Sequence, residues 1–151
     1  MVQQLPMRIS LKRLRQQHHA AEEMAATIVS RMASYRDEFD AIPIALLIGK
    51  LNALLRVHLA YEDTVLCPLM IDSADAEVAA HASRFCEETG SLAPKFEEFA
   101  RRWSGPSIIA IMFDEFREEA TALLVDLGVR IERENDFLYP LAERAMTARA
   151  A

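Results

Sequence analysis

A chain of 151 residues and 17.0 kDa is the size of one domain and can bury a continuous apolar core without disulfides or a structural metal. Hydrophobic residues make up 52% of it and charged residues 26%, with four glycines and six prolines, which excludes a disordered or fibrous chain. A formal charge of -6 excludes an extended basic face, and with it nucleic acid as a partner.

The opening segment Met-Val-Gln-Gln-Leu-Pro lacks an apolar signal core, and no uninterrupted apolar run approaches bilayer-spanning length. A cytoplasmic protein without membrane contact is therefore expected. The first predicted helix runs from about Arg8 to Tyr35, with a stripe at Leu11, Leu14, His18, Ala21, Ala25, Ile28 and Met32. Lys12, Arg13 and Arg15 are read as its solvated face. The turn Asp37 to Ile42 ends it, and Pro43 suits the first turn of a second helix carrying Ile44, Leu47, Leu51, Leu55, His58, Glu62, Val65 and Leu69. Asp72 to Asp75 is a cap-rich turn.

A third helix presents Val78, His81, Phe85, Leu92, Phe96, Phe99 and Trp103, and stops at Ser104-Gly105-Pro106. The fourth carries Ile108, Met112, Phe116, Ala120, Leu123, Leu127, Arg130, Glu134, Phe137 and Leu141. Gly128 inside it costs helix propensity and is a candidate for a close approach by another helix. Short connections between long amphipathic helices imply one all-α domain over residues 1–151, an up-down-up-down four-helix bundle. Cys67 and Cys86 form no Cys-x-x-Cys motif and are read as small buried hydrophobes.

The second and fourth helices share a pattern. His58-x-x-x-Glu62-x5-Pro68-Leu69 lies over Arg130-x-x-x-Glu134-x5-Pro140-Leu141 at a constant offset of 72 residues, so the bundle reads as a doubled helical hairpin. Every stripe is also interrupted by a polar group, where a core-facing stripe should be apolar. These groups are His18, then His58 with Glu62, then His81, then Arg130 with Glu134. Counting from the turns at about 1.5 Å per residue brings all six to one layer. A lone core histidine is ordinarily satisfied by a hydrogen bond, but a buried carboxylate must be paired or neutralised, so the cluster points to a functional layer.

His58-x-x-x-Glu62 before Pro68-Leu69, with His18 on the first helix and His81 on the third, resembles the hemerythrin-like (HHE cation-binding) family over nearly the whole chain. The resemblance implies a non-haem iron site whose metal ligands here are His18, His58, Glu62, His81 and Glu134, imidazole and carboxylate being suited to iron. Arg130 stands where the second motif would have its histidine, and guanidinium cannot ligate a metal. The site then keeps two irons with water in the missing place, keeps one, or keeps none while Arg130 pairs with Glu62 or Glu134; alternatively Arg130 reaches out of the bundle. Glu22, four residues after His18, and Tyr61 and Tyr139 are the neighbours able to contribute.

The resemblance implies a binding protein rather than an enzyme, taking up dioxygen, nitric oxide or peroxide, or sensing redox state. The alternative is a metal-free bundle acting as a regulatory or protein-interaction module. Ferritin-type oxidase chemistry needs Glu-x-x-His on two helices, and the chain has none.

Overall fold

Ser10 begins the first helix by accepting a hydrogen bond from the Arg13 N–H at 3.2 Å. The computed structural model describes residues 9–150, with side chains through 147; the segment Met1–Pro6 and the expected helix start at Arg8 lie outside the described residues. Helix α1 spans Leu11–Ala33, and a 3-10 turn, Glu38–Asp40, closed by reciprocal Asp37 and Asp40 caps, leads into α2, Ala41–Tyr61. That helix does not stop at Tyr61. It widens into a π-helical turn, Glu62–Leu66, and continues as α3, Cys67–Ile71.

Pro68 is the reason for the widening. Proline has no N–H, and its ring collides with the carbonyl four residues back in a regular helix. The wide turn, closed by the Cys67 N–H on the Glu62 carbonyl, absorbs that misfit. The fourth helix repeats the solution: α7, Phe113–Arg133, widens at Glu134–Leu138, closed by the Tyr139 N–H on the Glu134 carbonyl, before α8, Tyr139–Ala150, which contains Pro140. The 72-residue echo is thus a structural echo, and each glutamate of the polar layer opens a π turn.

Two expected helices are each broken once. The third is α4, Ala76–Thr89, and α5, Leu92–Arg102, parted at Gly90-Ser91. Pro94 cannot donate to the Gly90 carbonyl, so a regular helix cannot run through that point. The fourth begins with α6, Pro106–Ile111, and bends at Met112 into α7. Gly128 is not a close-approach site, since a Cβ there would meet nothing within 4 Å.

The core lies in two clusters on either side of the polar layer. One contains Ile28, Leu51, Leu55, Phe96, Trp103, Phe116 and Leu127; the other contains Leu14, Leu66, Met70, Phe85, Leu138 and Tyr139. The helical run Glu38–Ile71 is, by length and composition alone, long and apolar enough to cross a membrane. Its inner face, with Ile44, Ile48, Leu51 and Leu55, belongs to the bundle core, while Ile42, Leu46 and Val57 are exposed.

Cys67 and Cys86 are disulfide-bonded, joining α3 to α4, rather than separate hydrophobic fillers. The helical turn of α3 and the start of the second hairpin bring their Cα atoms to 6.3 Å, a proximity that residue spacing does not show. Constraining an unfolded chain across a loop of this size is worth about 3 kcal/mol. Reduction, or Cys67→Ser, is expected to lower unfolding free energy by that order in urea titrations. A midpoint unmoved by reductant would show that the bond adds nothing to stability.

Candidate metal centre

His18 on α1, His58 on α2, and Glu62 and Glu134 at the two π turns are all buried, none more than 3% exposed. One donor atom from each lies within 4.8 Å of all the others. His58 Nε2 is 2.9 Å from Glu62 Oε1 and 3.5 Å from Glu134 Oε1, and His18 Nε2 is 2.8 Å from Glu134 Oε1. The two Nε2 atoms are 3.1 Å apart. Each ring is oriented from behind: His18 Nδ1 donates to Asn135 Oδ1 at 2.8 Å, and His58 Nδ1 donates to Gln17 Oε1 at 2.7 Å. With Nδ1 committed as a donor, each ring turns Nε2 inward, the nitrogen that would face a metal once the ring is in the neutral tautomer a ligand needs.

Arg130 closes the other side. Its Nε donates to Glu134 Oε2 at 2.9 Å, one terminal nitrogen to Glu62 Oε2 at 3.1 Å, and the other to the Thr89 carbonyl at 2.5 Å. The Tyr139 hydroxyl donates to Glu62 Oε1 at 2.8 Å and lies 3.0 Å from His18 Nε2.

Burial and pairing pull the titrations apart. Burial works against a charged His58, but hydrogen bonds to Glu134 and Glu62 prevail and push its pKa from 6.5 up to about 9. Burial and the neighbouring Glu134 charge raise Glu62. For Glu134 the hydrogen bonds to His18 and His58, with Arg130 beside it, overcome burial and hold it well below the usual carboxylate range. Burial, then the two carboxylates, drive the Tyr139 phenol upward.

A histidine whose folded pKa is raised stabilises the fold fully below the unfolded value and loses that contribution as pH rises through the folded value. The chelator-treated protein is therefore expected to melt at progressively lower temperature between about pH 6.5 and pH 9. Scanning calorimetry across that window checks it, and a flat or rising melting temperature would contradict the charged His58.

Of the residues expected at this layer, His18, His58, Glu62, Glu134 and Arg130 meet there, and His81 does not. Its side chain is 58% exposed, beside Glu77 at 3.9 Å, on the rim of a surface groove with Arg84 and Phe137. Glu22 is exposed on the outer face of α1, and Tyr61 is half-buried beside the core rather than in the cluster. Gln17, Asn135 and Tyr139 take the supporting places instead. The missed signal was the internal repeat: carried from the second and fourth helices to the first and third, the offset of 72 pairs His18 with Gly90, not with His81. Gly90 has no side chain to offer, and it marks the break in the third helix.

Imidazole and carboxylate oxygen fit iron and related divalent ions, and the inward Nε2 atoms with the two Oε1 atoms form a donor set for such an ion. Fold and site together define a four-helix-bundle protein with a buried two-histidine, two-glutamate cluster capable of holding a metal. The Hemerythrin HHE cation binding domain family matches residues 10–142, and the chain belongs to that family. No curated protein and no solved structure matches it.

Proposed function

We propose that the protein binds non-haem iron at this layer and uses it to take up or sense a small ligand, dioxygen, nitric oxide or peroxide, or the redox state those ligands report. The observation that carries the reading is the set of four buried donors with both imidazoles held from behind by Asn135 and Gln17. Orientation of that kind costs side-chain freedom and is what ligand imidazoles require. Hemerythrin-family proteins bind and sense oxygen rather than catalyse turnover, which supports a non-catalytic role.

The test is metal analysis of protein from iron-supplemented cells, followed by spectra of the reduced protein with and without nitric oxide. Bound iron with a spectrum that changes on nitric oxide addition supports the reading. Iron-free protein that also refuses iron after reduction overturns it.

A second reading has one observation in its favour: Arg130 already pairs with both carboxylates. In that case the layer is a metal-free structural network and the bundle is a regulatory or interaction module. Reproducible absence of metal selects it. Cytoplasmic residence belongs to the main proposal and implies that Cys67 and Cys86 spend time as thiols, since that compartment keeps cysteines reduced. Rapid acid quench and thiol alkylation of cells reads that directly; a pair that takes up no alkylating reagent would place the protein in an oxidising compartment.

A further inference from the structure

The two glutamates do not present themselves as bridges between two ions. Each gives one oxygen to the histidines and the other to Arg130: Glu62 through Oε1 and Oε2, Glu134 likewise. The guanidinium is buried, stays protonated and cannot ligate a metal, so these oxygens already face a permanent cation. Its remaining terminal nitrogen is held by the Thr89 carbonyl, at the point where the third helix breaks. The repeat supplies no nitrogen ligand on that side. His18 precedes His58 by 40 residues, and Gly90 precedes Arg130 by the same interval.

On the histidine side the donors are richer than four. The Tyr139 ring is fully buried and stacked on His18, with centroids 5.2 Å apart and planes at 15°. Its oxygen lies among Glu62 Oε1 and His18 Nε2, at 2.8 and 3.0 Å. At the equivalent place in the other half of the repeat stands Cys67, whose sulfur is bound to Cys86. Imidazoles and phenol therefore share one half of the layer, and guanidinium holds the other.

We infer that the centre takes one metal ion, held by His18, His58, Glu62 and Glu134 with Tyr139 as a fifth donor, while Arg130 stands in the place of a second ion. The inference rests on the metal-binding reading above. Tyrosine oxygen is an established iron donor, and a bound cation deprotonates its ligands. With an ion bound, Tyr139 would serve as phenolate, and the proton it now gives to Glu62 would leave to solvent.

The experiment uses the full chain purified in air from iron-supplemented cells. Iron per chain, the visible spectrum and resonance Raman spectra are measured for the natural protein and for Tyr139→Phe. Expected are one iron per chain, a phenolate-to-ferric charge-transfer band in the visible with enhanced tyrosine ring modes, and loss of that band in Tyr139→Phe with iron retained. Should Tyr139→Phe fold poorly, ring-deuterated tyrosine incorporated into the natural sequence shifts the same modes without any substitution. Two irons per chain with oxo-bridge absorption would overturn the single-ion assignment. One iron without tyrosine modes would overturn the role of Tyr139. Both results leave the metal-binding reading standing, whereas protein that takes up no metal overturns that reading and this inference together.

Discussion

Arg130→Met in the chelator-treated protein is expected to cost about 3–5 kcal/mol of unfolding free energy, the range found when one partner of a buried ion pair is removed. The side chain lost is 7% exposed and satisfies Glu62 Oε2, Glu134 Oε2 and the Thr89 carbonyl at once. Methionine fills much of the volume and none of the hydrogen bonds, so both carboxylates lose their fixed cation in a layer walled by apolar clusters. Lysine would restore the charge without the planar fork, and recovers only part of the loss. Urea titrations of the three proteins measure this. A loss below about 1 kcal/mol for Arg130→Met would mean that the carboxylates are not held by the guanidinium. Because an ion that binds only the folded state adds stability by mass action, metal is expected to recover part of the deficit.

The second large effect concerns metal affinity. His58→Ala removes a buried nitrogen that faces both glutamate oxygens, and is expected to weaken binding of a divalent ion by more than about 100-fold, beyond the roughly 10–100-fold typical of losing a group that merely orients a ligand. Gln17→Leu supplies the comparison. It leaves every donor in place and frees the His58 ring from its 2.7 Å hydrogen bond, so its loss falls within the smaller range. Isothermal titration with zinc on chelator-treated protein ranks the variants. Equal affinities for Gln17→Leu and the natural protein would show that the ring is held by its packing alone, and unchanged binding in His58→Ala would remove it from the site.

The asymmetry of the layer has a simple origin in the repeat. Two hairpins of common pattern bring two glutamates into apposition at π turns forced by Pro68 and Pro140. The first hairpin keeps histidine at both positions, and the second has glycine and arginine there. An apolar replacement at Arg130 would leave two buried carboxylates facing each other without their fixed cation, at a cost of several kcal/mol per uncompensated charge. Arginine is the residue whose geometry meets both at once.

Helical periodicity and breakers were enough to show four helical segments, the bundle class, the doubled hairpin and five of the groups that meet in the buried layer, because these depend on spacing within one helix, which a linear chain displays directly. Tertiary structure decided what spacing cannot carry. His81 stands at helical spacing between Val78 and Phe85, yet the face that α4 buries is Val78, Ala82 and Phe85, and His81 at its edge is left on the surface. Gln17 and Asn135 look like ordinary solvated amides until two histidines from other helices are found behind them. Cys67 and Cys86 become a pair only when α3 packs on α4. The sequence shows Arg130 as the departure from the repeated motif, but only the packed bundle shows that it grips both glutamates, since the direction of a long side chain is settled by what faces it across the core and not by its own place along the helix.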